Sequence, residues 1–439
     1  MGSMGYVNYL KGLERSQWFK RKDLEKLQER KLRYLLKTSY KHVPYYHDLF
    51  KKAGITPEEI RSLDDLEKIP VLTRESLKTQ TNRFIANNID PRKLIPDYTS
   101  GTTTGERLSI KRLKETYDRA ISAELRAYRW YGAYRKMFYY VTGTDVDVEK
   151  NRTLKKRLYN FVTKTITISP LEFSMKKRLD RFLKELKKNK RRVLYGTPSG
   201  ICKLVDILDE RNIDINLDVI ISTDEPLLKE QRKYLEDRYG CEVYDIYGTS
   251  EVWGIAFECS LHGLYHITSE NVIVEVVNEN LERVSPGERG RILLTDLNNT
   301  EMPIIRYDIG DFGIISDDEC ECGRGLHALR PIDGQMVLRE TNYILSSSGK
   351  KIFLPEFGFL LEDHSKVKQF QILQRSRKKI LVRIVKGRDY DKKTEESIFR
   401  RLLSLLGDVE IEFRYVKDIP FDKNGEHRYV MRTEFTRSP

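Results

Sequence analysis

Between residues 137 and 294, the chain alternates short apolar, β-branched runs with amphipathic stretches of helical length. The strand-like runs are Met137–Thr142, Val193–Tyr195, Val219–Ser222, Val243–Tyr247, Val272–Val277 and Arg291–Leu294. Helical patterns between them cover Ser199–Asn212 and Leu228–Tyr239. This alternation predicts an α/β fold around a largely parallel central sheet. The later strands are separated by Gly, Pro and Asn turns, so we expect them to pair antiparallel.

Both ends of the chain have a different pattern. The first 65 or so residues read as helices, with a leucine stripe between charged residues. After Gly334 the runs Val367–Leu373, Ile380–Val385, Glu395–Leu406 and Val409–Tyr415 follow a β-β-α-β order. We therefore predict a large α/β N-terminal domain over 1–334 and a small α+β C-terminal domain over 335–439.

Composition excludes several classes of protein. The 439 residues are 39% hydrophobic, which is enough for a large core and argues against global disorder. No run approaches the roughly 18–20 apolar residues of a membrane-spanning helix. Five cysteines in this length do not make a disulfide framework, so a cytoplasmic location is expected.

The net charge of +13 is densest between Lys176 and Arg192, where ten of 17 residues are Lys or Arg. Four apolar residues recur there at helical spacing, which is typical of a surface helix with a basic outer face. A surface for nucleic acid or for an anionic membrane is the alternative. No nucleic-acid-binding motif accompanies the run, and nucleic acid is not an expected partner.

Three polar motifs stand out. The first, Thr99–Gly105, places five Ser/Thr residues around two glycines, a composition that suits a polyphosphate. The second, Tyr247–Glu251, follows a strand and combines an aromatic ring with hydroxyls and a carboxylate. The third, Arg306–Asp311, carries two carboxylates around a glycine. Each motif alone is also compatible with an ordinary turn.

Together, the order and spacing of these motifs resemble the adenylate-forming superfamily, which includes the acyl-CoA synthetases. The closest likeness is to the phenylacetate–coenzyme A ligase branch and its relatives in capsular-polysaccharide synthesis. The resemblance implies a large N-terminal domain and a small mobile C-terminal domain. It also implies attack by a carboxylate on Mg²⁺-ATP to give an acyl-adenylate, followed by transfer to a thiol, for which coenzyme A is a candidate, or to an amine.

The resemblance also implies roles for individual residues. Ser100, Thr102 and Thr103 would contact the phosphates, Glu251 would hold Mg²⁺, and Tyr247 and Asp311 would meet adenine and ribose. The full nucleotide-binding set so implied is Ser100, Gly101, Thr102, Thr103, Thr104, Gly105, Glu225, Tyr247, Gly248, Arg306 and Asp311. The catalytic set is Thr249, Glu251, Glu426 and His427.

The sequence lacks a cation at two positions where the family pattern usually has one. The hinge motif, usually Gly-Arg, reads Gly334-Gln335, and the position usually held by a catalytic Lys is Glu426. Losing one well-placed stabilising group commonly costs about 10²–10³ in rate. An alternative hypothesis is therefore a nucleotide-binding protein without efficient adenylation, or a variant transferase on the same fold.

Two short chelating pairs predict a structural zinc site. Cys259 and His262 form a Cys-x₂-His pair, and Cys320 and Cys322 form a Cys-x-Cys pair, which together supply four ligands. His266 and His327 are reserve ligands, and Cys202 and Cys241 read as core residues. A catalytic Cys–His dyad is the alternative use of these residues.

Overall fold

The computed structural model describes residues 5–98, 108–143, 165–332 and 334–433. The Ser/Thr-rich loop Thr99–Gly105 therefore lies outside the described residues. Packing divides the chain into two compact units, each built from two stretches. Unit 1 comprises 1–134 and 244–332, and unit 2 comprises 135–243 and 333–439. The predicted domains 1–334 and 335–439 stay a prediction.

The helices confirm the amphipathic patterns to within a few residues. In chain order they are α1 Gly5–Ser16, α2 Arg21–His42, α3 Pro44–Ala53, α4 Arg74–Thr79, α5 Lys114–Trp130, α6 Lys176–Lys188, α7 Pro198–Glu210, α8 Lys229–Tyr239 and α9 Lys392–Leu406. Short 3₁₀ turns also occur, of which Leu354–Leu361 is the longest described.

The strands are β1 Ile95–Tyr98, β2 Ser109–Arg112, β3 Met137–Val141, β4 Thr165–Ile168, β5 Arg192–Gly196, β6 Val219–Ser222, β7 Val243–Tyr247, β8 Ala256–Glu258, β9 Tyr265–Ile267, β10 Val272–Val277, β11 Arg289–Asp296, β12 Tyr307–Ser316, β13 Ala328–Arg330, β14 Leu338–Arg339, β15 Tyr343–Leu345, β16 Lys351–Phe353, β17 Val367–Ser376, β18 Lys379–Lys386, β19 Glu410–Tyr415 and β20 Val430–Arg432.

Unit 1 combines the N-terminal helices with antiparallel strands. Its strands follow the order β10-β11-β12-β13-β9-β8-β7, and β1 pairs separately with β2. The leucine stripe of α2 is buried at Leu24, Leu32, Leu35 and Leu36, whereas the charged Lys26 and Arg30 between them are exposed. The antiparallel pairing predicted for the later strands is confirmed.

Unit 2 contains the predicted parallel sheet, in the order β4-β3-β5-β6. Helix α6 buries its apolar residues in the core beside this sheet, and each fully buried side chain contributes roughly 1.5–3 kcal/mol. A second sheet, β19-β18-β17-β20, accompanies α9, so the predicted β-β-α-β unit is confirmed with one further strand. Asp391 caps the start of α9, because its carboxylate accepts the N–H of Thr394.

These elements confirm an α/β chain with mixed sheets and a compact α+β C-terminal segment. Within the described ranges, no helix has the length and apolarity that crossing a membrane requires.

Candidate active site

The described strands on either side of the Ser/Thr-rich loop pair with each other. Tyr98 lies opposite Ser109 in the β1–β2 pairing, so these two described residues are held side by side. The loop itself is outside the described residues. The predicted roles of Ser100, Gly101, Thr102, Thr103, Thr104 and Gly105 therefore stay predictions.

The Tyr247–Glu251 motif forms a tight turn at the end of β7. Thr249 Oγ1 accepts the N–H of Val252, which closes the turn. A Cβ on Gly248 would lie 3.3 Å from the backbone N of Gly254, so glycine allows the close approach. The turn carries Glu251 into a buried position.

The Glu251 carboxylate is held through one of its two oxygens. Arg74 donates to Oε1 over 2.6 Å, and the Tyr307 hydroxyl donates to the same atom over 3.1 Å. Among the described residues, no hydrogen bond reaches Oε2. Glu251 therefore has a fixed side chain with one oxygen available to a ligand.

A second arginine, which is buried, fixes the backbone of this turn. Arg112, at the end of β2, donates through Nη2 to the carbonyls of Ser250 and Glu251 at 2.8 and 2.5 Å. Its Nη1 donates to Asp97 over 3.2 Å. Arg112 therefore links the hairpin that flanks the Ser/Thr-rich loop to the turn that carries Glu251. Sequence reasoning missed both Arg74 and Arg112, because neither belongs to a motif.

The third motif lies within a strand and not in a hairpin turn. Asp311 is in β12, is almost fully buried, and accepts the Tyr247 hydroxyl over 2.7 Å. This bond joins the second and third motifs directly. The structure thus brings Tyr247, Glu251 and Asp311 into one region of unit 1, as expected for a common ligand.

Arg306 has a different position from its motif neighbours. Its guanidinium is buried and donates to Glu275 at 3.2 Å and to the Ile69 carbonyl at 2.7 Å. Further bonds run to the carbonyls of Glu67 and Leu281. Arg306 is therefore engaged in holding the backbone before β12. This arrangement favours a role in positioning the ribose-binding segment, and a contact of Arg306 with the nucleotide stays a prediction.

Glu225, Glu426 and His427 meet in unit 2. Glu225 Oε1 accepts the Ser199 hydroxyl at 2.8 Å and the backbone N–H of His427 at 2.5 Å. The His427 ring is buried, and its Nε2–H donates to the Phe370 carbonyl over 2.8 Å. His427 is therefore held in the protein interior, and its predicted catalytic role stays a prediction.

Burial perturbs the acid–base behaviour of this group. It raises the pKa of Glu225 to about 8, although the Ser199 hydroxyl and the His427 N–H lower it. Burial also raises the pKa of Glu426 to about 7, against the effect of Arg339. The same cause lowers the pKa of His427 to about 4, so this ring is neutral at neutral pH.

We expect Glu225 to make the protein less stable as the pH rises. Its pKa rises from 4.5 to about 8 on folding, so between these values the unfolded chain releases a proton that the folded chain keeps. The free energy of unfolding then falls with pH across this window. His427 acts in the opposite direction between about pH 4 and 6.5.

Glu225→Gln removes this titration and isolates its contribution. Urea unfolding from about pH 5 to about pH 8 should show a steeper loss of stability in the wild type than in the variant. Glu210→Gln, an exposed change in α7, is the matched control and should follow the wild type. Parallel pH profiles for Glu225→Gln and wild type would contradict the assignment.

Unit 1 also contains a cluster of four metal-ligating side chains. Their donor atoms all lie within 4.8 Å of one another, and the residues are Cys259, His266, Cys320 and Cys322. The sulfurs of Cys259 and Cys320 are 3.5 Å apart, and His266 Nε2 is 3.2 Å from the Cys322 sulfur. Tetrahedral Zn–S bonds of about 2.3 Å would place two sulfurs about 3.8 Å apart, so the spacing fits zinc.

The histidine of the cluster is His266, whereas the predicted ligand set contained His262. His262 is not there: its Nδ1 faces Glu258 Oε1 at 2.9 Å, and its ring stacks on Tyr244. Its φ of 59° places it in the tight turn after Cys259, which directs the ring away from the sulfurs. The reserve residue His266, on β9, takes its place. His327 pairs with Ser269 and Glu25 instead.

The chain is similar to one family model and to several proteins of known function. The family model of the CapK C-terminal domain matches residues 344–433. A phenylacetate–coenzyme A ligase of Thermus thermophilus is 25% identical over 346 residues, covering 73% of this chain and 73% of that protein. The Escherichia coli phenylacetate–coenzyme A ligase is 26% identical over 66% of each chain. An indoleacetate–lysine synthetase of Pseudomonas savastanoi is 23% identical over 61% of this chain and 67% of that protein.

Among solved structures, 2-hydroxyisobutyryl-CoA ligase in the postadenylation state has a TM-score of 0.77 at 19% identity. The match covers 93% of this chain and 89% of that one. The chain therefore has the fold of this ligase, and it resembles the adenylate-forming superfamily in fold and in sequence. Its sequence matches include two phenylacetate–coenzyme A ligases, and residues 344–433 match the CapK C-terminal domain.

Proposed function

We propose that the chain is an ATP-dependent ligase that activates a carboxylic acid as an acyl-adenylate and passes the acyl group to a thiol or an amine. The observation that carries this proposal is the buried link between Tyr247 and Asp311 beside the anchored Glu251. The relatives support both acceptors, because their names describe acid–thiol ligases and one acid–lysine synthetase.

Glu251 is the residue best suited to hold Mg²⁺. Magnesium binds carboxylate oxygens and usually takes only one or two from the protein, with substrate phosphates and water filling the other positions. One open carboxylate oxygen, on a side chain fixed by Arg74 and Tyr307, fits that requirement. A bound Mg²⁺ would neutralise phosphate charge in the reaction of two anions.

Tyr247 and Asp311 are suited to the nucleoside. A carboxylate offers about four acceptor positions over its two oxygens, so Asp311 can accept ribose hydroxyls as well as the Tyr247 hydroxyl. The bond between them also fixes the orientation of the tyrosine ring. A ring fixed in this way loses little entropy when a purine stacks on it.

Glu426 modifies the proposal without removing it. Burial raises the pKa of its carboxyl group to about 7, so part of the population is neutral at neutral pH and the change from a cation is smaller than a full charge reversal. The relatives reported above are all named as ligases or synthetases, and none supports a nucleotide-binding protein without catalysis.

Zinc in the cysteine cluster would have a structural role, since four protein ligands leave no position for a substrate.

The nucleotide site can be tested without knowing the acid. We expect Mg²⁺-ATP and AMP to bind in titration calorimetry. We expect Asp311→Ala to weaken both about 10- to 100-fold, as for loss of a hydrogen bond to a charged group. Asp308→Ala is the matched control, because Asp308 is on the same strand but pairs with Arg291. Absence of wild-type binding, or equal losses in both variants, would overturn the proposal.

A further inference from the structure

The basic run between Lys176 and Arg192, which takes no part in the proposed nucleotide site, includes helix α6 and its outer face. The helix has 13 residues, and its apolar residues Leu179, Phe182, Leu183 and Leu186 are buried in the core of unit 2. At 100° per residue, the positions directly opposite this apolar face are Lys177, Arg181, Lys184 and Lys188. All four are exposed, and we call them the outer stripe.

The positive charge of this stripe is largely uncompensated. Among the described residues, Lys177, Arg181 and Lys184 form no ion pair, and only Lys188 has a carboxylate partner, Glu185. The other acidic residue of the helix, Asp180, is paired with Arg211. Exposed cations continue beyond the stripe at Lys176, Lys187, Lys190 and Arg191. The face therefore presents a dense positive field to solvent.

We propose that the outer face of α6 is a docking surface for the headgroups of an anionic membrane. The apolar face of the helix is already committed to the core, so attachment would be electrostatic and reversible, without insertion of the helix. Each Lys or Arg close to an anionic membrane surface contributes about 1 kcal/mol to the binding free energy, which is roughly fivefold in affinity. The exposed Met175 at the start of the helix adds one apolar contact.

The composition of the stripe favours lipid over nucleic acid. It contains no amide, hydroxyl or aromatic side chain that could contact a base. Three of the four residues of the stripe are lysines. Arginine, whose planar guanidinium binds phosphates through two N–H groups, is the residue better suited to nucleic acid. This inference is independent of the proposed ligase activity.

The experiment measures binding to phosphatidylcholine vesicles with and without phosphatidylserine. The full chain should bind only the anionic vesicles, and less tightly as salt is added. Replacing the outer stripe (Lys177→Gln, Arg181→Gln, Lys184→Gln, Lys188→Gln) should weaken binding by roughly fivefold per cation removed. The matched control changes four exposed lysines of unit 1: Lys11→Gln, Lys37→Gln, Lys51→Gln and Lys52→Gln.

Both quadruple variants lose four positive charges. A difference between them therefore shows that binding depends on the outer stripe and not on the net charge of the chain. Vesicle binding retained by the control and lost by the stripe variant supports the proposal. Equal loss in both, or no preference of the wild type for anionic vesicles, overturns it. Tighter, stripe-dependent binding of a DNA duplex at the same ionic strength would overturn the lipid assignment in favour of nucleic acid. Unchanged AMP binding and circular dichroism confirm that the variants fold.

Discussion

Glu251→Gln is expected to lower acid-dependent ATP–pyrophosphate exchange by at least about 100-fold while leaving the protein folded. The amide keeps the size of the side chain and one carbonyl oxygen for Arg74 and Tyr307. It removes the negative charge that would hold Mg²⁺ beside the phosphates. Because the variant would bind Mg²⁺ more weakly, raising the Mg²⁺ concentration should recover part of the exchange rate.

Two neighbouring variants separate the metal from the structural contacts of Glu251. Tyr307→Phe removes one hydrogen bond to Oε1 and leaves the charge, so we expect a small effect on exchange. Arg74→Gln removes the cation that competes for Glu251 and should change the Mg²⁺ dependence without abolishing exchange. AMP binding reports the nucleoside contacts separately. Equal losses in all three variants, with no response to Mg²⁺, would show that Glu251 only supports the fold.

The helices and most central strands could be predicted because their signals are local. The spans Val219–Ser222 and Val243–Tyr247 are strands in the structure as predicted, and α8 begins one residue after its predicted start at Leu228. Each of these segments has its own periodicity and is bounded by turn residues. The short strands β8, β9 and β13, with three residues each, are too brief to show a period, and they were not predicted.

The partners of the site residues could not be predicted from the sequence. Arg74 and Glu251 are 177 residues apart, and Arg112 reaches the same turn across 139 residues. Only the order of strands in the sheet brings them together, and that order depends on long-range pairing. A lone arginine carries no local pattern that would indicate such a role. The motif residues Tyr247 and Asp311 could be found because each lies in a short polar motif, and the resemblance then implied their roles.

The metal ligands show where a spacing rule fails. Cys-x₂-His spacing selected His262, but the rule assumes that the turn between the two residues directs both side chains to one point. In the structure the chain turns back after Cys259, and β9 returns beside β8 with His266 opposite Phe257. Strand pairing, and not distance along the chain, therefore determines which histidine meets the sulfurs.

Protein purified without chelator is expected to contain one zinc ion per chain, and removing it should destabilise unit 1 markedly. The cluster joins the turn after β8 to the Cys320–Cys322 loop, and in the unfolded chain these segments are 61 residues apart. A structural zinc stabilises the folded state because the unfolded chain lacks a preformed site. We expect Cys320→Ser to lose the metal and to lower the melting temperature by roughly 10 °C.

The control variants distinguish the observed ligand set from the one that the spacing predicted. His266→Ala should lose zinc, whereas His262→Ala should retain it, because the His262 ring faces Glu258 and Tyr244. Cys241→Ser removes a thiol outside the cluster and should retain the full metal content. Elemental analysis and thermal unfolding measure both effects on the same samples. Metal lost from His262→Ala and kept by His266→Ala would contradict the geometry of β9, because the sulfurs lie within reach of only one of the two rings.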